Sequence, residues 1–404
     1  MFAFKKYFYT ISVIILLIWL GSFSSGFHYK QPDPNSPFAG SETCKNCHKE
    51  IFDSHIKTAH YLTSKPADEK YIKGSFKPGE NEFVFNKAMR VMMEKKDGTF
   101  FQTAYLNGNE YQSERMDIVI GSGRKGQTFL YWNDNRLFQL PVSYYVAVQS
   151  WCNSPGYRTN LIHYDRIIPA RCIECHGTYA KTFRNDSIVT VFDPNGIIYG
   201  VDCERCHGPA AAHVLYHTAN PDDKKGKYVI NPKSLDRSRR LDACALCHSG
   251  FRKAIRPEFS YMEGDKLEDY SLPTYNDDTA SSLDVHGNQF GLLTASKCFR
   301  SSTMDCSSCH NVHQVEINQP KIFSQRCMSC HNEASGHLCK MSTKGSGFAL
   351  SDNCIDCHMP LLPSSKIFLQ LNDPKKSSPD FVRTHRIGIY PKQTKEFIKN
   401  VKMW

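Results

Sequence analysis

The pentapeptide Cys44-Lys-Asn-Cys47-His48 sets the architecture of this chain, because the pattern Cys-x-x-Cys-His occurs seven times in 404 residues. We number the copies motifs 1 to 7 in chain order: Cys44/Cys47/His48, Cys172/Cys175/His176, Cys203/Cys206/His207, Cys244/Cys247/His248, Cys306/Cys309/His310, Cys327/Cys330/His331 and Cys354/Cys357/His358. At this composition, chance predicts on the order of 0.03 such pentapeptides in a chain. Seven copies therefore indicate one chemical function repeated along the sequence.

The spacing within each motif is typical of covalent haem attachment. Two thiols three residues apart add across the vinyl groups of one haem, and the next imidazole then lies under the iron as its proximal ligand. A Cys-x-x-Cys pair can otherwise form a zinc site or a dithiol redox site. The histidine after every second cysteine, and the lack of paired units at zinc-finger spacing, argue against both alternatives. The predicted cofactors are seven haem c groups with their iron.

Seven haems change the fold that is expected for a chain of this length. They leave roughly 54 residues of mature chain for each haem, too few for a separate apolar core around every cofactor. The macrocycles themselves must fill much of the interior. Together with 12% aromatic residues and a mean hydropathy of −0.47, this predicts a mostly α or irregular multihaem cytochrome c fold with little regular structure around the haems, plus a small antiparallel β insertion.

The formal charge of +10 at pH 7 does not indicate nucleic-acid binding. Lys5 and Lys6 belong to a predicted leader, and each ferric haem with ionised propionates contributes about one negative charge. These corrections bring the mature, haem-loaded chain close to neutrality. The basic residues are better explained as partners of the propionates and as solvated surface.

Residues 1–26 have the features of an export leader. Lys5 and Lys6 precede an apolar run from Tyr7 to Leu20, and small residues follow at 21–26. The run of about fourteen residues is shorter than the ~20 that span a bilayer. A cleaved signal peptide is therefore favoured, with an uncleaved N-terminal membrane anchor as the alternative. Both predict a haem domain in the periplasm or otherwise outside the cytoplasm.

The motif positions predict an uneven organisation after the leader. Short β-rich runs such as Thr99–Tyr105 and Thr128–Trp132, separated by turn signals at Asp97-Gly98 and Asn107-Gly108, predict β structure between motifs 1 and 2. Motifs 2 to 7 follow so closely that only a helix and a loop fit between neighbours. We therefore expect a linker at 27–40, a first haem segment at 41–79, a haem-free β insertion at 80–145, a six-haem domain at 146–390 and a tail at 391–404. The sequence thus favours a relay of six haems with a separately attached entry or exit haem, and it leaves open whether that first haem joins the same chain in space.

Four longer pieces carry a more specific signal. They are Cys44-x-x-Cys-His48 followed by Lys57-Thr-Ala-His60; Cys203-x-x-Cys-His-Gly-Pro-x-x-x-His213; Cys306-x-x-Cys-His-Asn-Val-His313; and Cys354-x-x-Cys-His-Met-Pro360 with a trailing Arg383-Thr-His385. In this order they resemble multihaem cytochromes of the cytochrome c-554 superfamily, whose tetrahaem member accepts electrons from hydroxylamine oxidoreductase. The resemblance spans about residues 40–390 and covers the β insertion loosely. It implies that His60, His213, His313 and His385 are distal iron ligands, often of a haem other than the nearest in sequence.

Other histidines are also available for the sixth coordination position, because ten lie outside the motifs. His286 is a fifth candidate, since a histidine beside a glycine turn can approach a haem face. Weaker candidates are His163 and His337, and also His55 and His217, which neighbour His60 and His213. This supply makes bis-histidine ligation the default. Three cysteines remain outside the motifs, Cys152, Cys298 and Cys339, of which the last two are the favoured disulfide partners.

Closely packed bis-histidine haems predict electron transfer between redox proteins outside the cytoplasm, without catalytic residues. The expected partners are a donor and an acceptor protein, with a membrane-bound electron-transfer complex among the candidates. The alternative is a multihaem oxidoreductase that acts on hydroxylamine, nitrite or tetrathionate at one five-coordinate haem. The chain lacks the Cys-x-x-Cys-Lys motif that pentahaem nitrite reductases use at their active haem, which counts against that chemistry. A third hypothesis makes the β insertion a surface for docking a partner.

Overall fold

The structure, a computed structural model, describes residues 37–157, 160–185, 189–274, 282–336, 338–339, 341, 350–370 and 377–401. The predicted leader, most of the predicted linker, His28 and His337 lie outside these residues. Helix and strand each account for 28% of the described residues. The prediction of a mostly α or irregular fold with a small β insertion is therefore wrong, because several antiparallel sheets are present.

The helices are short, and most contain or adjoin a Cys-x-x-Cys-His motif. In chain order they are α1 Ser41–Cys44, α2 Lys49–His55, α3 Ala170–His176, α4 Cys203–His207, α5 Ala211–Ala219, α6 Arg237–His248, α7 Gln289–Thr294, α8 Lys297–Arg300, α9 Pro320–Met328, α10 Cys354–His358 and α11 Pro391–Val401. Helices α3, α4, α6 and α10 each end at the histidine of a motif. Each of these imidazoles therefore projects from the last turn of its helix. Among the described residues, no helix has the length and apolar character to cross a bilayer.

The strands form antiparallel sheets of two, four and seven strands. They are β1 Ser64–Pro66, β2 Glu82–Val84, β3 Met89–Lys96, β4 Thr99–Leu106, β5 Asn109–Arg115, β6 Ile118–Ile120, β7 Gly126–Asn133, β8 Arg136–Gln139, β9 Val142–Tyr145, β10 Ser150–Asn153, β11 Arg166–Ile167, β12 Gly177–Asn185, β13 Thr190–Tyr199, β14 Arg252–Ala254, β15 Ser271–Pro273, β16 Leu361–Gln370 and β17 Ser377–Arg383. Strands β2 to β5 form a meander. The seven-stranded sheet follows the order β1-β6-β7-β8-β11, with β9 paired to β7 and β10 to β9. Separate hairpins are formed by β12 with β13, β14 with β15, and β16 with β17.

The four-stranded and seven-stranded sheets share one hydrophobic core. Phe83 and Met93 from the first sheet pack with Phe129 and Trp151 from the second, and all four are essentially buried. The side chain of Gln102 joins the two sheets: its amide donates to the carbonyl of Val142 at 2.7 Å and accepts from the Val142 amide at 3.0 Å. A buried amide is tolerated here because both of its functional ends are paired.

The hairpin turns form where the sequence predicts them. Asp97-Gly98 between β3 and β4, and Asn107-Gly108 between β4 and β5, have positive φ at both central residues. This is the geometry of a type I′ turn, whose twist matches that of the paired strands. The strands extend beyond the predicted insertion, however, because β1, β10 and β11 join the seven-stranded sheet from outside residues 80–145. The domain boundaries stay a prediction.

A second hydrophobic core connects the β region to motif 2. Ile118, Leu130 and Leu137 from the seven-stranded sheet pack against Ile173 of α3 and Phe192 of β13. Helix α3 ends at His176 and the chain continues directly into β12. The sheets therefore support the polypeptide around the motif 2 haem site.

Candidate haem-binding sites

Aspartates begin two of the motif turns. The carboxylate of Asp202 accepts a hydrogen bond from the Cys203 amide at 2.8 Å, and that of Asp305 accepts one from the Ser307 amide at 2.9 Å. Both are N-cap arrangements, in which a side-chain oxygen satisfies a free amide at the start of a helical turn. The following cysteines and histidine are thereby held on one tight turn, as attachment to a single macrocycle requires.

Four motif histidines face a histidine from a distant part of the chain. The ring centres lie 6.4 Å apart for His48 and His213, 6.1 Å for His207 and His313, 6.0 Å for His248 and His60, and 6.2 Å for His310 and His385. The structure thus places each of the four histidines singled out by the family resemblance opposite the histidine of a motif. In each pair the two residues belong to segments far apart in sequence.

These separations fit an iron between two imidazoles. A metal–imidazole bond is about 2 Å long, so two coordinated rings on opposite sides of one ion stand roughly 6 Å apart between centres. Within the described residues there is no cluster of three or more histidine, cysteine or acidic side chains able to hold a metal ion. Each pair would therefore supply two imidazoles to one iron, and a porphyrin would have to supply the remaining ligands.

Hydrogen bonds orient several of these imidazoles. The Nδ1 atoms of His207 and His358 each lie 2.8 Å from a backbone carbonyl, of Ile230 and Gly388 respectively. The Nδ1 atom of His213 lies 2.8 Å from the carbonyl of Lys227. A proton on Nδ1 leaves Nε2 free for iron, and such a bond also increases the basicity of the ligand.

Burial keeps two of the distal histidines neutral. Burial, with neighbouring histidines adding to its effect, lowers the pKa of His60 to about 4. Burial likewise lowers the pKa of His385 to about 4. Both imidazoles are therefore uncharged near neutral pH, which is the form that binds a metal.

The cysteines show which motifs are neighbours. Side chains of different motifs are in hydrogen-bonding contact for Cys44 with Cys203, Cys175 with Cys247, Cys244 with Cys306, and Cys327 with Cys354. At longer range, Cys206 lies near Cys247 and Cys327 lies near Cys309. These contacts bring motif 1 to motif 3, motif 2 to motif 4, motif 4 to motif 5 and motif 6 to motif 7, so haems attached to these cysteines would have neighbouring edges.

Motif 6 has one exposed cysteine, as motifs 1 and 2 do at Cys47 and Cys172. Cys330 was predicted to bind haem like the other motif cysteines, yet its side chain is exposed, whereas Cys327 of the same motif is partly buried. The physical reason is that α9 ends at Met328, so Cys330 and His331 lie beyond the helix in an exposed segment. The Cys330 sulfur has only a weak contact with the Ser329 hydroxyl, at 3.9 Å. Haem attachment at Cys330 stays a prediction.

Motif 1 lies against motif 3, not apart from the rest. Besides the Cys44–Cys203 contact, the buried Glu204 carboxylate accepts hydrogen bonds from the amides of Ala39 and Gly40, both at 2.8 Å. It also accepts one from the Ala210 amide at 2.8 Å. The sequence left open whether the first haem joins the other six in space, and these contacts place motif 1 beside motif 3.

The remaining motif histidines differ from these four pairs. Among the described residues, no histidine ring stands opposite His176 or His358 at a comparable distance. The Nδ1 atom of His176 lies 3.0 Å from the hydroxyl of Thr63. His331 lies close in sequence to residues outside the described part of the chain, where His337 also falls.

The other candidate histidines are placed elsewhere. His286 is half-exposed, with Nδ1 3.8 Å from the Asp380 carboxylate. His163 stacks on Tyr157 and contacts Asp165 at 2.5 Å. The ring of His217 lies 4.6 Å from that of His213. None of the three stands opposite a motif histidine among the described residues, so His286 as an iron ligand stays a prediction.

A buried polar cluster lies beside these sites, and little in the sequence indicates it. His55 is 7% exposed, neither ring nitrogen has a hydrogen-bond partner among the described residues, and Nε2 lies 3.8 Å from the Asp202 carboxylate. The Lys65 amino group lies 3.3 Å from the ring centre of Tyr61. Burial lowers the pKa of Lys65 to about 8, although Asp202 opposes that shift. Of these residues, the helical spacing after motif 1 singles out His55 alone.

The cysteines outside the motifs do not behave as the sequence predicts. Within the described part of the chain, the expected disulfide between Cys298 and Cys339 does not form. Cys152 is completely buried in β10, and burial raises the pKa of its thiol to about 12. Cys152 therefore acts as a small apolar residue of the sheet.

Comparisons with known proteins agree with this geometry. Residues 157–208, which include motifs 2 and 3, match the family model described as cytochrome c554 and c-prime. The fold is similar to that of the outer cell wall cytochrome OcwA, with a TM-score of 0.55 and 17% sequence identity over 89% of this chain and 82% of that chain. At this identity the similarity concerns the fold. No curated protein matches the chain.

The repeated motifs, the facing imidazoles and these two comparisons lead to one class of protein. The chain is a multihaem c-type cytochrome with covalently bound haem c.

Proposed function

We propose that the chain carries seven haem c groups, that at least four of them have bis-histidine ligation, and that it transfers electrons between redox proteins. The pairs His48–His213, His207–His313, His248–His60 and His310–His385, at 6.0 to 6.4 Å, are the observation that carries this proposal. Two strong axial ligands let iron change valence without losing a ligand, which suits electron transfer better than substrate binding.

The contacts between motif cysteines support a continuous electron path. Motif 4 is its centre, because Cys244 contacts motif 5 and Cys247 contacts motif 2. Motif 1 contacts motif 3, which connects it to motif 4. Motif 6 lies near motif 5, and motif 7 contacts motif 6. We therefore propose a branched relay in which the motif 2 haem lies on a side branch.

The location and partners are part of the same proposal. Haem attachment to Cys-x-x-Cys-His motifs supports a position outside the cytoplasm, in the periplasm or at the cell surface. The partners are a donor and an acceptor redox protein, with a membrane-bound complex as one candidate. A cleaved signal peptide or an N-terminal anchor would deliver the chain there.

Haem counting and spin state test the main proposal. A pyridine haemochrome assay on the purified, exported protein should give seven haems per chain. The EPR spectrum of the ferric protein should be dominated by low-spin signals. Fewer than seven haems, or high-spin signals from most of them, would contradict the proposal.

A second candidate function is favoured by the surroundings of His176. No described histidine faces His176 or His358, so the motif 2 iron is one of two candidates for a five-coordinate site that binds hydroxylamine, nitrite or a sulfur oxyanion such as tetrathionate. In that case the other haems would supply electrons to the motif 2 haem. One equivalent of high-spin haem that binds cyanide, together with turnover of one of these compounds, would favour the enzyme over the carrier.

A further inference from the structure

One turn of the chain contacts the axial ligands of two neighbouring sites. His60 faces His248 of motif 4, and Thr63, at the end of the same turn, contacts His176 of motif 2. The turn is closed by a hydrogen bond from the Thr63 amide to the His60 carbonyl at 3.1 Å. A second anchor comes from Ser64, whose hydroxyl donates to the His176 carbonyl at 2.6 Å.

The contact at His176 differs chemically from those at the other motif histidines. His207 and His358 use backbone carbonyls as Nδ1 partners, which no side-chain substitution removes. His248 has the amide oxygen of Gln289 at a longer 3.4 Å. Thr63 offers a hydroxyl oxygen at 3.0 Å. When Nε2 of His176 binds iron, Nδ1 carries the proton, and this N–H donates a hydrogen bond to the Thr63 hydroxyl oxygen.

We propose that Thr63 is a positioning residue that lowers the reduction potential of the motif 2 haem through its hydrogen bond with His176. The inference rests on the proposed function, because it requires a haem at motif 2. A hydrogen bond from Nδ1–H makes the imidazole a stronger electron donor, and a stronger donor stabilises ferric relative to ferrous iron. The hydroxyl also fixes the ring orientation and the tautomer.

The surrounding backbone holds the hydroxyl in place. The Gly121 amide donates to the Thr63 carbonyl at 2.6 Å, and the Gly200 amide donates to the Ser64 hydroxyl at 2.9 Å. Gly200 allows this approach because a Cβ there would lie 2.2 Å from the Tyr61 carbonyl oxygen. The segments around Gly121, Gly200 and His176 thus all contact the turn. These protein contacts alone hold the Thr63 hydroxyl close to His176.

The test is a redox titration of the haem-loaded protein in the Thr63→Val variant, which keeps the shape of the side chain but removes the acceptor. Removing such a partner typically weakens a metal–ligand interaction by 10-fold or more. A tenfold loss of preference for ferric over ferrous iron raises a one-electron potential by about 59 mV. One component of the titration should therefore move upward, by about 59 mV when a tenfold loss falls on the ferric state alone, while Thr63→Ser should keep the wild-type value.

Thr128→Val is the matched control, because Thr128 is also a partly buried threonine that accepts a side-chain hydrogen bond, from Gln139, in the same sheet region. Its titration should match the wild type. Thr63→Ala serves as a second variant should Thr63→Val fail to fold. Unchanged potentials in a folded Thr63 variant with seven haems, or an equal shift in Thr63→Ser, would overturn the inference. A missing motif 2 haem in the wild type would instead contradict the proposed function.

Discussion

The imidazoles of His48 and His213 face each other at 6.4 Å although the entire β region lies between them in the sequence. The two residues sit on short segments that could not hold this geometry alone. Their approach is fixed by Glu204, whose carboxylate binds the amides of Ala39 and Gly40 from the motif 1 side and of Ala210 from the motif 3 side.

Replacing His213 with methionine should raise the potential of one haem. A thioether ligand favours ferrous iron more than imidazole does, so one component of the redox titration should move upward. His217→Met is the matched control, because His217 lies on the same helix, 4.6 Å from His213, and faces no motif histidine among the described residues. An unchanged titration for His213→Met, or an equal shift for His217→Met, would remove His213 as a ligand.

His385→Ala should convert one low-spin haem to high-spin, because it removes the imidazole opposite His310. His163→Ala should leave the EPR spectrum unchanged, since His163 stacks on Tyr157 and contacts Asp165. The comparison uses integrated high-spin intensity per chain. A new high-spin signal in His163→Ala would contradict the assignment of the lost ligand to His385.

Glu204→Gln should destabilise the protein without removing a haem. Glutamine can offer one oxygen, but its NH₂ group would face a backbone amide in place of the second oxygen, leaving a buried donor unpaired. A loss of about 1 to 3 kcal/mol in the free energy of unfolding is expected from urea titration of the holoprotein. The exposed Glu50→Gln substitution is the control and should lie within about 0.5 kcal/mol of wild type. Equal stability of the two variants would contradict the bridging role of Glu204.

Lys65 should make stability rise between pH 8 and 10. Burial lowers its pKa to about 8 in the folded state, whereas the unfolded side chain titrates near 10.5. In this window the unfolded state binds more protons, so stability increases with pH, by at most about 3 kcal/mol, and below pH 8 the penalty for the buried charge is fully present. The Lys65→Met variant should be more stable than wild type at pH 7, with the difference shrinking towards pH 10. A difference that does not change with pH would contradict this origin.

The sequence predicted the chemistry of the sites better than their arrangement. The motif cysteines and histidines, and the four distal histidines implied by the resemblance, all carry local patterns. The pairing of these histidines has no local sequence pattern, because nothing near His60 in the sequence indicates that it faces His248 and not His48. The solvent exposure of a motif cysteine cannot be predicted from its local sequence either, since the exposed Cys330 has the same local pattern as the partly buried Cys309. Such properties are set by the packing of segments that are distant in sequence.

The β structure was underestimated for a related reason. Strand β5 is polar and largely exposed, so it lacks the alternation that marks a half-buried strand. The hairpin of β12 and β13 lies between motifs 2 and 3, where close motif spacing had favoured helices and loops. It forms because Phe192 and Ala180 bury against the sheet next to motif 2, a contact that depends on the tertiary fold.

If the four facing pairs ligate iron and the chain is exported, both as proposed, the exchange of histidines between segments also orders the maturation of the chain. During export from the N-terminus, His60 emerges before motif 4 and is ready when that haem is attached. His213, His313 and His385 emerge after the motifs they face, so the haems of motifs 1, 3 and 5 must wait for later sequence. A chain that stops shortly before His385 would thus keep every attachment motif and still leave the motif 5 iron, near the centre of the relay, without its second imidazole.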